Sequence, residues 1–440
     1  MGYILTLLLL PIGLLYSVKR PWFGLMMYYL FTILQPKYIW YWVFPQDLAI
    51  TKYFVLAIFA GLLYNVAASG YKLSFFSARR NIAVFILFCL VYLSHFFSPY
   101  PPTPFAQLVL KTFNTIVAVY FMGQMCKPSL NDLKYMAFIL AGIVLYYSYW
   151  SNMQYISGQM YLYSTNGRLR GPYGSTYFDE NKFSIVFIIC LPSLAFLFFL
   201  LKRLWQKLFI IGSILSVMHS LVLVGSRGGL LAFCSMGLYS LLFLIKTKKG
   251  KTPYFLIVVS VASFLVFYST QGGSLKDRTS ATISESKEGG DEPLDPRVLA
   301  WSVGKDMIFD YPILGVGVER FLQAARAEYG ARTVNVAHNT FIQITACSGI
   351  LAGLTWLYLV FNGMYCGRQI WKKYPMPGTI ENYLNNAFTT GILGFFVASI
   401  FLDLLIAEQF YFLLLMQLLL KRLVLTDEAT EKEQNQIIEK

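Results

Sequence analysis

Residues 183–201 read FSIVFIICLPSLAFLFFLL, a run without one charged side chain, held between Lys182 and Lys202. At 1.5 Å per residue such a helix covers close to the ~30 Å of a bilayer's hydrocarbon core. The stretch reads as a transmembrane helix, and runs of the same kind recur at about 47–68, 81–97, 105–125, 135–156, 208–224, 228–245, 253–269, 339–365, 385–403 and 405–420. Two shorter apolar segments, 2–17 and 22–35, precede them. A β-barrel is excluded, because its strands are short and alternate in polarity. The fold class is all-α: a polytopic helical membrane protein. Composition agrees, since 57% of the 440 residues are hydrophobic and 13% are charged, about half the charge of a soluble domain. The net charge of +14 comes from short clusters between apolar runs rather than from a basic face. That arrangement excludes a soluble nucleic-acid binder.

The basic clusters orient the spans. Tyr71–Arg80, Lys127–Lys134, Lys202–Lys207, Lys246–Lys251 and Arg368–Lys373 are cationic and alternate with nearly uncharged connections such as Ser98–Pro104. Cationic loops stay on the cytoplasmic side, so 157–182, the turn at 225–229 and 271–337 face outward. The chain then divides into 1–270 (transmembrane helices with the loop 157–182), a large outward loop 271–337, transmembrane helices in 338–424 and a cytoplasmic tail 425–440. Segments 2–17 and 22–35 either both span or form one re-entrant hairpin, and the side of Met1 follows from that choice. The first segment is not a cleaved signal peptide: no basic stretch precedes it and Lys19-Arg20 ends it. The six cysteines form no C-x-x-C pair and no ligand cluster, so neither a disulfide nor a zinc site is expected.

Arginine on the translocated side runs against the topological preference. Arg168 and Arg170 lie in 157–182, Arg227 stands in Gly225-Ser226-Arg227-Gly228-Gly229, and Arg278, Arg297, Arg320, Arg326 and Arg332 lie in the large loop. Guanidinium groups bind phosphate bidentately. Glycines beside Arg227 would let backbone N–H groups reach the same anion, at the start of a span whose helix dipole attracts it. Together these point to a pyrophosphate site at the outer boundary; the plainer reading is an arginine that snorkels and caps a tight turn. Within the large loop, 271–294 is polar and low in apolar content. Asp295-Pro296 reads as N-cap and N1 of a helix with Val298, Trp301, Lys305 and Ile308 at helical spacing, broadened by Leu299 and Phe309 and closed before Pro312. Val318–Tyr329, ended by Gly330, reads as a second amphipathic helix. Two such helices could lie on the outer leaflet and partly roof a cavity.

Of three histidines, only His338 stands at the outer interface directly after the arginine-bearing loop, where an imidazole can act as a base. Its plainer reading is a helix cap. His219 reads as a packed polar residue, Gly349 and Gly353 as a close helix contact, and Asp403 and Glu408 as acids at a turn between spans.

Gly225-Ser226-Arg227-Gly228-Gly229-Leu230, followed by a long loop and His338-Asn339 with Gly349 beyond, resembles the O-antigen ligase / O-antigen polymerase superfamily. Arg170-Gly171 before an acidic residue and Asn181, and Arg297 and Trp301 leading to Pro312-Ile313-Leu314-Gly315-Val316-Gly317, are similar to further motifs of that family. Lys19-Arg20-Pro21 and the Pro36 stretch are similar to its ligases. The resemblance implies a C-type membrane glycosyltransferase of about twelve spans in the bacterial inner membrane, with a periplasmic active site and neither metal nor nucleotide. It would take a glycan from undecaprenyl pyrophosphate and pass it to a hydroxyl of lipid A–core oligosaccharide or another glycan acceptor, with membrane lipids as its surroundings. Carried over by residue, His338 would be the base, Arg227 and Arg170 would hold the pyrophosphate, and Arg297 would be a further phosphate or sugar contact. Asn181, Ser226 and Asn339 would line the substrate. This chain reads Asp179-Glu180-Asn181 where the family usually has Asp-Pro-Asn, which leaves Arg168 as an alternative to Arg170. Alternatives within the superfamily are an O-antigen polymerase and a protein O-oligosaccharyltransferase. From another class, a lipid-linked oligosaccharide flippase would need midplane charges and internal repeats.

Overall fold

The computed structural model describes residues 2–44, 48–69, 78–159, 162–164, 167–246, 296–331 and 336–425. The expected span 253–269, the polar stretch 271–294, Arg278, Arg332 and the tail after 425 lie outside these. The helices are α1 Gly2–Lys19, α2 Pro21–Leu34, α3 Ile50–Ser69, α4 Arg79–Phe96, α5 Pro104–Met125, α6 Leu130–Ile156, α7 Glu180–Ala195 and α8 Leu204–Val224. They continue with α9 Arg227–Lys246, α10 Pro296–Asp310, α11 Phe321–Ala327, α12 Thr340–Ser348, α13 Ile350–Lys373, α14 Ile380–Ser399 and α15 Glu408–Leu425. The all-α expectation holds: among the described residues extended pairing is limited to one isolated bridge, Tyr163 with Leu169. Among those residues seven helices, α3 to α8 and α13, are long and apolar enough to cross a membrane. The uncharged run 183–201 is α7, continued by Leu197–Leu200.

Local sequence sets the helix ends. Thr103 caps α5 by accepting from the Ala106 N–H, with Pro104 at the first helical position. Ser129 and Asp132 close a capping box on α6. Gly225, in the left-handed region (φ +61), ends α8. At the N-terminus α1 and α2 fold back on each other at Arg20: the Tyr16 and Phe23 rings meet edge to face with centroids 4.8 Å apart, and Gly24 packs against Ser17.

The core centres on α14 and α15. Phe410 to Leu415 are buried to the last atom, and α14 contacts α7, α9, α13 and α15. Its buried side chains include Asn382, Asn385, Asn386 and Thr389, too polar for lipid but hydrogen-bonded inside the bundle. Asn385 donates to the Gly367 carbonyl (3.0 Å) and Gln417 to Thr389 (2.9 Å). Arg80, 2% exposed, extends this network. Its guanidinium donates to the Asn362 side chain (2.8 Å), the Leu414 carbonyl (2.7 Å), the Asn362 carbonyl (3.3 Å) and Gln417 (3.4 Å). One cation thereby ties α4 to α13 and α15 through neutral acceptors.

The run 339–365 is not one span. It breaks at Gly349 (φ +89) into α12 and α13. In a straight helix residues 341 and 353 would stand about 18 Å apart, yet Gly353 packs against both Phe341 and Thr345, so α12 folds back along α13. The cause is a strap from the preceding loop. Val316 and Gly317 donate backbone N–H groups to the Ala346 and Cys347 carbonyls (2.9 Å each), and Ile350 donates to the Pro312 carbonyl (2.9 Å). A Cβ on Gly349 would overlap the Ile313 carbonyl oxygen. Gly353 thus serves close packing as expected, whereas Gly349 serves the break.

The loop helices match in number and differ in detail. The first spans Pro296–Asp310, but its buried face is Ala300, Val303 and Met307, while Val298 (47%) and Phe309 (72%) are exposed. Gly304 lets Ile342 and Phe321 approach, so the inward face centres on Ala300, Val303, Gly304 and Met307. The second is only Phe321–Ala327. Glu319 (φ +56) holds the chain out of the helix before it, and Arg320 is 1% exposed, donating to the Pro101 (3.2 Å) and His95 (3.0 Å) carbonyls. These helices share an apolar cluster with Ala346 and Cys347 of α12.

Candidate functional site

The 162–182 segment docks on the α8–α9 turn. Leu169 donates to the Leu223 carbonyl (2.9 Å), and Gly171 to the Tyr177 carbonyl (2.8 Å). This brings Arg168 over the turn. Its Nε donates to the Val224 carbonyl (3.1 Å), its Nη2 to Asn181 Oδ1 (2.8 Å), and its Nη1 lies 4.0 Å from Glu180. Asn181 Oδ1 also accepts from Ser226 Oγ (3.2 Å), which in turn accepts from the Gly229 N–H (3.2 Å) and so caps α9. Arg168, Asn181 and Ser226 therefore form one hydrogen-bonded unit that fixes the residue before Arg227. The turn takes its caps from Gly225 and Ser226, which leaves the half-buried Arg227, first residue of α9, outside the capping.

The two upstream arginines are not equivalent. Arg168 is buried, 7% exposed, with its donors on protein acceptors. The Arg170 side chain is 33% exposed; its Nε lies 3.5 Å from Glu180 and its guanidinium lies 4.9 Å from the centroid of the Phe178 ring. Arg170 presents its charge at the surface of the site, and Arg168 holds the loop to the turn. The neighbouring glycines have a packing use. A Cβ on Gly228 would meet Phe401 at 2.9 Å, and one on Gly229 would meet Ser184 at 2.7 Å. They give α9 its close approach to α7 and to the α14–α15 connection.

His338 is placed by its flanks. Trp301 donates its indole N–H to the Ala337 carbonyl (2.7 Å), and the Ala337 N–H donates to Gln343 (3.1 Å). On the other side Asn339 caps α12 by accepting from Ile342 (3.1 Å). Thr340, fully buried, donates to the Leu402 carbonyl (2.6 Å) and accepts from the Leu404 N–H (3.0 Å). The helix cap is thus Asn339, and His338 itself sits at φ +48, a conformation rarely adopted outside glycine. Such strain persists only where the surroundings over-determine it.

The half-buried imidazole has its pKa lowered by burial first, then by Arg297 on α10; Asp179 opposes this and Lys182 adds to it. Arg297, Asp179 and Lys182 therefore share its field, and the neutral form, the one able to accept a proton, is favoured. Among the described residues the ring makes no hydrogen bond. His219, by contrast, is held by Asn152 Oδ1 between α6 and α8, as a packed residue should be.

Three charged residues escape sequence reasoning. Glu180 pairs with both upstream arginines. Lys182 acts on His338 and on Asp403. Glu319 stands beside Asp403, and its carboxyl is pushed up to about 8 by burial and by that neighbour, with Lys182 opposing. Glu180 and Lys182 carry a signal, as charges heading a span just after two arginines. Glu319 carries none, since its nearness to Asp403 exists only in the fold.

A family model for O-antigen ligases matches residues 213–357. The matched stretch contains Ser226, Arg227, Arg297, His338 and Asn339, while Arg168, Arg170 and Asn181 precede it. No curated protein matches the chain. The chain is thus a multi-pass helical protein in which about a third of the length, residues 213–357, is similar to the O-antigen ligase family.

Proposed function

We propose that the protein transfers a glycan from undecaprenyl pyrophosphate to a hydroxyl group of lipid A–core oligosaccharide, at the periplasmic face of the bacterial inner membrane. The observation that carries this reading is the position of His338: strained, half-buried, held from both sides, and electrostatically tied to Arg297 and to the head of α7. In the reaction the imidazole takes the acceptor's hydroxyl proton while that oxygen attacks the anomeric carbon. The bond from that carbon to the pyrophosphate oxygen breaks, and the pyrophosphate departs with the bonding pair. Arg227 and Arg170 lie against the growing negative charge, Arg297 contacts phosphate or sugar, and such fixed charges lower the barrier. Arg168, Asn181 and Ser226 act as the frame for Arg227, and Asn339 as the frame for His338. Domain use follows: the 296–331 helices carry Arg297, and the bundle supplies the rest.

The test is transfer by purified protein in detergent, given the lipid-linked donor and, separately, lipid A–core, free glycan and a protein acceptor. Product on lipid A–core, without any membrane potential, supports the ligase; product only on glycan or protein reassigns the acceptor; no product with any acceptor sinks the reading.

The pH profile gives a second check. Only neutral His338 serves as base, so activity is lost as pH falls through its pKa, and the acid limb lies below the ordinary 6.5. Arg297→Gln removes one of the causes that lower this pKa, so the limb of kcat/KM moves upward toward 6.5. An unmoved limb would disconnect the two residues.

A further inference from the structure

α13 starts at Gly349 beside the strap and, at 24 residues, runs about 36 Å. Its last turns therefore stand at the membrane boundary opposite His338. There a cavity of about 420 Å³ is lined by Tyr365, Arg368, Gln369, Lys372 and Leu425, within the ~300–1,000 Å³ of small-ligand sites. Four of these residues fall at i, i+3, i+4 and i+7 on α13, so they form one stripe. The fifth ends the described part of α15. The wall is fixed rather than incidental: Lys373 donates to the Val424 carbonyl (2.9 Å), which pins the end of α13 to the end of α15.

The lining chemistry is one-sided. Arg368 and Lys372 are exposed, one turn apart, and make no hydrogen bond or ion pair among the described residues. The side-chain oxygen of Gln369 is buried there without a partner, ready to accept from a hydroxyl. Tyr365, 58% exposed, is an amphipathic ring of the kind that settles at headgroup depth. Two like charges converging on a cavity repel unless an anion lies between them, and basic pockets between membrane helices take phosphate headgroups.

We propose that this cleft between α13 and α15 binds the phosphate and glycerol of an anionic glycerophospholipid in the leaflet opposite the transfer site. Arg368 and Lys372 hold the phosphate, Gln369 accepts from a headgroup hydroxyl, and Tyr365 lies against the first acyl carbons. The source of the phosphate is the lipid: a free phosphate has no use for the aromatic wall.

The experiment uses the full chain, stripped of lipid in a neutral detergent. Dioleoylphosphatidylglycerol, dioleoylphosphatidylcholine or inorganic phosphate is added to the wild type, to Arg368→Gln/Lys372→Gln, and to Lys202→Gln/Arg203→Gln as a charge-matched control. Native mass spectrometry counts bound lipid, and thermal unfolding gives the midpoint. Expected is a midpoint raised by several degrees with phosphatidylglycerol alone, in wild type and control, and one fewer retained phosphatidylglycerol in the cleft variant. Equal retention in the cleft variant, or the same shift from phosphatidylcholine or from phosphate, overturns the proposal. If the double variant yields too little protein, Lys372→Gln alone is read by the same lipid count.

Discussion

Alanine in place of His338 lowers glycan transfer by roughly 10²–10⁴-fold, the range of a lost general base, while the protein accumulates in membranes as the wild type does. The backbone there is held by Trp301, Gln343, Asn339 and Thr340 rather than by the imidazole. Removing the ring therefore leaves the framework intact, and alanine at φ +48 adds no crowding beyond that already present. The measurement is the single-turnover rate of purified variant with saturating donor and acceptor, beside its unfolding midpoint. Full rate at an unchanged midpoint would remove His338 from the chemistry. A lost rate with a collapsed midpoint would assign it to structure instead.

Gly349→Ala is expected to abolish transfer and also to destabilise the protein, by about 2 kcal/mol or more. Two costs coincide at this position. The backbone sits at φ +89, which disfavours any side chain, and the new methyl would overlap the Ile313 carbonyl oxygen. Relief requires the 312–317 strap to lift, which breaks its hydrogen bonds to Ala346 and Cys347 and loosens the pairing of Ile350 with Pro312. α12, with His338 at its head, then loses its fixed angle. Gly142, inside α6, has open space where an alanine methyl would stand, with nothing within 4 Å of it. Gly142→Ala therefore serves as the control and leaves stability equal or higher by up to about 1 kcal/mol. Equal midpoints for the two variants would show that the strap carries no strain.

The apolar runs make the helices legible, because a bilayer imposes one length and one polarity on any spanning segment. The same logic hides the break at Gly349. Residues 339–365 carry no charge and are long enough to read as one span, and what folds them back is a strap whose residues come from the loop before them. A long-range partner of that kind leaves no trace in hydropathy. The buried face of α10 is hidden for a related reason: Ala300 and Gly304 carry no apolar signal, yet close packing on Ile342 and Phe321 selects small residues. In the candidate site, the arginines are visible because the charge pattern predicts outward-facing loops, where arginine is disfavoured. Their division of labour is not, since Arg168 and Arg170 differ only in which way the docked loop turns each of them. The glycines beside Arg227 also clear room for Phe401 and Ser184, a packing need that exists only in the fold.

The strap also bears on how relatives of this chain can be recombined. A loop that hung from its two ends could be exchanged between family members at any pair of boundary residues. Here 312–317 hydrogen-bonds into the α12–α13 corner, and Arg320 is sunk between the carbonyls of His95 and Pro101. A graft of 271–337 would therefore bring a foreign strap to a native corner. A chimera that keeps residues 312–350 with the α4–α5 connection, and swaps only what precedes Pro312, preserves those interlocking contacts. The natural seam for such an exchange lies before Pro312, inside the loop.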